Sequence, residues 1–155
     1  MKYNNALKFL ISIIICEAVG ALGAIFTTPE IGGWYKTLRK PIINPPNWIF
    51  GPVWTVLFVL MGISLYIIWA KGGKNIKAVS VFGLQLALNL FWSILFFYFK
   101  SPGMAFVEII FLWLAILWTI VEFYKLSRTA AFILLPYIIW VSFAALLNYS
   151  ILMLN

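Results

Sequence analysis

Three apolar stretches of this chain carry the side chains best suited to grip a small molecule. In one, Gln85, Asn89, Trp92 and Phe96 recur at intervals of 4, 3 and 4 residues, which sets them on one face of a helix. In a second, Trp140, Ala144, Leu147 and Ile151 share a face, with Asn148 beside it. In a third, Trp54, Phe58, Met61 and Leu65 do the same. Each face offers an aromatic, and two add an amide. Taken singly, Gln85, Asn89 and Asn148 read as hydrogen-bond glue between helices, worth about 1 kcal/mol each. Taken together, aromatic walls with a few convergent amides describe a pocket for a flat, mostly apolar ligand.

Two acids, Glu17 and Glu108, also fall inside apolar runs. An intramembrane carboxylate is a candidate proton carrier or cation site, against the plainer alternative of a protonated acid bonded to a neighbouring amide or carbonyl. The chain has no histidine and one cysteine, Cys16. It therefore lacks the commonest zinc and haem-iron ligand, and no metal site is expected. Any tetrapyrrole held here is gripped by shape, stacking and hydrogen bonds.

These faces need elements to carry them, and the composition says what kind. Of 155 residues, 65% are hydrophobic and 10% charged, where a soluble domain carries roughly a quarter charged. So few charges cannot coat a water-soluble globule, so the bilayer is the expected solvent. Net charge is +7, but the basic residues fall in the gaps between apolar runs, at Lys2 and Lys8, Lys36–Lys40, Lys71–Lys77, Lys100, and Lys125 with Arg128. That is the pattern of helix ends anchored in headgroups, and it argues against a nucleic-acid partner.

The apolar runs predict an all-α integral membrane protein: one domain over 1–155, with five transmembrane helices at about 6–27, 48–70, 77–99, 103–123 and 129–154. Each is long enough, at 1.5 Å per residue, to cross a hydrocarbon core about 30 Å thick. The first run resembles a cleaved signal peptide in its basic start, but its apolar stretch continues through Phe26 and it is taken as a spanning helix. The last three connections are short, which predicts antiparallel neighbours. Small residues recur at Ser12, Cys16, Gly20 and Ala24, expected to pack within the bundle, and at Gly83 and Ala87, a candidate dimer face.

The connection over 28–47 is different. It is long, carries Trp34 and Tyr35, and is stiffened by prolines in "KPIINPPN". It predicts a structured cap between the first two spans, with Trp34–Arg39 as a helical turn holding Tyr35 over the pocket. Counted by side, seven Lys/Arg lie with the N-terminus and four with the cap, which places the N-terminus in the cytoplasm.

The blocks "FTTPEIGGWYKTLRKPIINPPNWIFGPVW", "LALNLFWSILFF" and "LLPYIIWVSFAALLNYSILMLN" resemble the tryptophan-rich sensory protein family, which includes the translocator protein. The resemblance covers nearly the whole chain in the same order. It implies a five-helix bundle, often a homodimer, in a bacterial or archaeal cell membrane, with a pocket under the first loop. It implies porphyrin ligands, protoporphyrin IX among them, besides isoquinoline carboxamides and benzodiazepine-type compounds. No cofactor is required; porphyrin is a ligand. Matched by motif, the pocket comprises Tyr35, Phe50, Trp54, Phe58, Asn89, Trp92, Trp140, Phe143 and Ala144, and Glu108 falls where the family has an acid. Phe143 enters by this resemblance alone. The animal proteins' proposed cholesterol motif needs a basic residue soon after a Tyr, and Tyr149 is followed only by "SILMLN".

Three functions compete. The first is a porphyrin-binding sensor or scavenger, with ligand carboxylates reaching Lys36, Arg39 or Lys40. The second is light- and oxygen-dependent porphyrin breakdown, in which Trp54 and Trp140 take the catalytic role. The third is a small proton-coupled transporter using Glu17, against which stands the lack of a visible inverted repeat.

Overall fold

Caps and prolines set the helix limits. In the computed structural model, residues 4–73 and 75–155 are described; Lys2, and Lys74 of the "KGGKN" break, lie outside the described residues. Helix α1 spans Asn5–Ile31, started by the Asn4 side chain, which accepts from the Ala6 amide at 3.3 Å. It runs a turn beyond its expected end. Pro29 deprives Ile25 of its donor, yet the ring's φ suits a helix, and the chain stops only at Gly32–Gly33. A short α2, Trp34–Thr37, follows within the cap.

Helix α3, Asn47–Ala70, begins directly after Pro46. Helix α4, Ile76–Ser93, continues into a π-helical turn, Ile94–Tyr98, that periodicity did not predict. Helix α5, Pro102–Leu126, carries Pro102 in its first turn, where a missing N–H costs nothing, and Ser101 caps it. The expected fifth helix is broken: α6 covers Arg128–Ile133 and α7 covers Leu135–Leu154. Pro136 explains the break, because it cannot donate to Phe132 and its ring crowds that carbonyl.

Among the described residues, five helical segments are long and apolar enough to cross a membrane: Asn5–Ile31, Asn47–Ala70, Ile76–Tyr98, Pro102–Leu126 and Arg128–Leu154. The chain is an integral membrane protein of five helical spans. Its surface is inverted relative to a soluble protein. Leu10, Ile14, Ile25, Phe111 and Ile139 face outward, while Ser12, Ser64, Gln85, Thr119 and Asn148 are buried.

Helix α1 packs on α3 and α4; α5 packs on α4 and α7; and α6 bridges α3 to α5. The short link between α3 and α4 does not make them close neighbours, contrary to expectation; their backbones scarcely approach, and they meet through side chains, Gln85 Nε2 donating to Met61 Sδ at 3.8 Å. Gly72 and Gly73, at φ +68° and +86°, turn the chain through left-handed conformations so that it can cross the end of the bundle. The core holds Met61, Ile68 and Tyr137, with Phe82 and Phe123 stacked at 5.7 Å.

Candidate ligand cavity

The tightest approach between α1 and α3 lies at the end remote from the cap. A Cβ on Gly62 would sit 2.8 Å from the Ile13 Cα and 3.0 Å from the Ser12 carbonyl, so only glycine fits. Nearer the cap, Gly20 leaves room for the Phe58 ring, which an added Cβ would meet at 2.6 Å. Above that level α1 and α3 part, and a cavity of about 410 Å³ opens under the cap. Its size is that of a small-molecule site.

Aromatic rings make most of the wall. Trp54 of α3 leans on Phe58 at 5.8 Å and meets Tyr137 edge-on at 6.4 Å. Phe50 meets Trp140 of α7 edge-on at 6.1 Å. Trp92 stacks on Phe96 at 5.1 Å with an interplanar angle of 24°. The π turn carries Phe96 and Phe97, and both line the wall.

Behind the rings the amides are paired. Asn89 donates to the Tyr137 hydroxyl at 2.8 Å, Tyr137 donates to Gln85 at 2.8 Å, and all three are buried. Trp92 Nε1 donates to Asn148 Oδ1 at 3.0 Å, while Asn148 Nδ2 donates to the Pro102 carbonyl at 2.8 Å. Asn89 and Asn148 each bond across helices and also line the cavity. Gln85 lies behind it. The Trp140 Nε1 is buried without a partner among the described residues.

Of the nine expected pocket residues, Tyr35, Phe50, Trp54, Phe58, Asn89, Trp92, Trp140 and Ala144 line the cavity. Phe143 does not; it packs against Trp140 at 5.5 Å. Among the described residues, Glu17 lines the floor with its Oε1 buried and unpartnered, whereas Glu108 is buried outside the wall with neither oxygen bonded. Periodicity missed Tyr137 and Phe97, and it missed that the upper half of the small-residue stripe, Gly20 and Ala24, is cavity wall. A hydroxyl in a span was the available signal for Tyr137, because it demands partners.

The cap is tied down at several points. Tyr35 is buried, donates to Asn44 at 3.2 Å, and has the Lys40 ammonium 4.4 Å above its ring. Burial raises the Tyr35 phenol above its ordinary pKa and lowers that of Lys40. The Arg39 amide and carbonyl pair with the Asn155 side chain, each at 2.9 Å, and Lys100 meets Glu30 at 3.4 Å. None of Lys36, Arg39 or Lys40 lines the cavity, so the structure does not set these cations where ligand carboxylates were expected to meet them. Gly83 and Ala87 face outward, and nothing lies within 4 Å of a Cβ built on Gly83.

Residues 12–154 match the TspO/MBR family. The chain is 45% identical over 152 residues to the tryptophan-rich protein TspO of Archaeoglobus fulgidus, covering 97% of this chain and 99% of that one. It is 44% identical over 156 residues to the protein of the same name from Chlorobaculum tepidum, covering 98% of each. It is 40% identical over 134 residues to the translocator protein of Homo sapiens, covering 84% of this chain and 79% of that one. Identity at this level, sustained across all five spans and the cap between the first two, makes the chain a member of the TspO/MBR family.

Proposed function

We propose that the protein is a membrane sensor or regulator that binds flat hydrophobic ligands, protoporphyrin IX and related tetrapyrroles first among them. The observation that carries this is the cavity itself: about 410 Å³, walled by Trp54, Trp92, Trp140, Phe50, Phe58 and Phe96. Such walls favour a broad π-surface over a compact aliphatic ligand. Relatives named translocator protein and tryptophan-rich sensory protein support the same class of role. Among the described residues, the wall holds one carboxylate, Glu17, and no Lys or Arg. A porphyrin therefore enters ring first, keeping its carboxylates at the polar rim near Thr28 and Asn47.

Saturable quenching of tryptophan fluorescence by protoporphyrin IX tests this reading. Trp54→Phe with Trp140→Phe weakens the affinity at least tenfold; an unchanged titration in that double variant defeats the site. Light-dependent breakdown of the bound ring belongs to the same reading. Trp54 and Trp140 flank the ligand, indole is readily oxidised, and dioxygen is the terminal oxidant. Ring loss at the same rate without protein, or with both indoles replaced, removes the enzymatic part.

One observation favours a second reading, proton-coupled transport: the unpartnered Glu17 oxygen at the cavity floor. Ligand flux in proteoliposomes that follows a pH gradient and disappears in Glu17→Gln would establish it. Homodimerisation through the exposed Gly83–Ala87 face is the proposed assembly. Failure of cysteines placed at 83 and 87 to cross-link in membranes counts against that face. The excess of Lys/Arg on the N-terminal side, seven to four, supports a cytoplasmic N-terminus.

A further inference from the structure

The cavity wall is closed on every side but one. Its residues from α2, α4, the π turn, α5 and α7 are buried or half-buried. Six lining residues are exposed, and all six belong to α1 or α3: Ala21, Ala24 and Thr28 on one helix, Asn47, Gly51 and Thr55 on the other. These are the cap-side thirds of two antiparallel helices, so they face each other across a gap.

The gap has a structural cause. Below it, α1 and α3 are locked by Gly62 against Ser12 and Ile13, by Gly20 against Phe58, and by Phe9 edge-on to Tyr66 at 5.3 Å. Above it, a Cβ on Gly51 would meet nothing within 4 Å. The edges are small side chains, and none of the six is charged. From Ala21 to Thr28 the opening rises about 10 Å, roughly a third of a hydrocarbon core. Both helices span the membrane, so the opening faces acyl chains below and headgroups at Thr28 and Asn47. The cap, by contrast, is held by the Tyr35–Asn44 bond, the Lys40 ammonium over Tyr35, and the reciprocal Arg39–Asn155 pair.

We infer that the cavity exchanges its occupant sideways with the bilayer, through the gap between α1 and α3, while the cap stays shut. Empty of ligand, the gap admits a lipid acyl chain from the cap-side leaflet. The cap is then a fixed roof, and an amphiphile loads with its flat body in the hydrocarbon and its polar end level with Thr28 and Asn47.

One measurement needs no ligand. In a Cys16→Ser background, Ala144→Cys on the far cavity wall is labelled with bimane and reconstituted in vesicles holding acyl-chain nitroxide lipids. The label is quenched, and Ala24→Phe with Thr55→Phe relieves the quenching at least threefold. Leu146→Cys, exposed on the outer face of α7, stays quenched in both backgrounds and reports an intact, inserted fold. An unquenched label at 144, or quenching indifferent to the two phenylalanines, overturns the route. A second measurement rests on the porphyrin reading. The same two phenylalanines slow both association and dissociation of protoporphyrin IX at least tenfold, whereas an Arg39→Cys/Asn155→Cys cross-link leaves both rates unchanged. Rates slowed by the cross-link and not by the phenylalanines overturn the route. Absence of any protoporphyrin binding to the native chain refutes the ligand assignment, and the nitroxide result alone then decides the route.

Discussion

Tyr137 links the candidate site to the core. Its hydroxyl accepts from Asn89 and donates to Gln85, and its ring supports Trp54. Removing that oxygen leaves two buried amides short of a partner, and bilayer hydrogen bonds are worth about 1 kcal/mol each. Tyr137→Phe is expected to lower the thermal unfolding midpoint in detergent by a few degrees and to weaken protoporphyrin quenching. The glycines separate by what surrounds them. Gly62→Ala drives a methyl into the Ile13 and Ser12 backbone, which cannot give, and costs about 1–3 kcal/mol. Gly83→Ala meets nothing within 4 Å among the described residues and gains helix propensity in the interior of α4, so it does not lower the midpoint, and a loss appears only as a change in cross-linked dimer.

At the scale of elements, two departures from regular helix shape the cavity. The π turn at Ile94–Tyr98 carries Phe96 and Phe97, both buried and both on the wall, and the break before α7 lies just ahead of Trp140, which reaches Phe50 edge-on. Pro136→Ala returns a donor to the Phe132 carbonyl and favours one continuous helix. Its expected result is a higher unfolding midpoint together with weaker protoporphyrin quenching, because Trp140 leaves its place opposite Phe50. A variant that gains stability and keeps full affinity would show that the break does not position the indole. The break was legible as Pro136 itself. The π turn was not, since nothing in "ILFFYF" distinguishes a five-residue turn from a four-residue one before its packing is known.

For the whole molecule, the question is how the cap is held. Arg39 and Asn155 are 116 positions apart in sequence, and their two 2.9 Å bonds fasten the roof to the last span. The Lys100–Glu30 pair is partly exposed and contributes less than about 1 kcal/mol. Asn155→Ala is therefore expected to expose Lys36 and Arg39 to trypsin several-fold faster, while helical circular dichroism stays unchanged. If the cleavage rate does not move, the roof is held by Tyr35 and its neighbours alone.

The amino-acid pattern alone determined the five spans, the structured link between the first two, and which faces of α3, α4 and α7 carry aromatics. These follow from local rules: hydropathy demands a span, prolines stiffen a link, and a period of 3.6 puts Trp92 above Asn89. Only the tertiary structure decided that α3 and α4 stand apart and that Phe143 sits behind the wall. It also showed that the stripe from Ser12 to Ala24 is packing surface at one end and cavity at the other. Periodicity names the residues on a face but not what that face meets, and the separation of α1 from α3 depends on where Gly62 and Phe58 fall on the opposite helix.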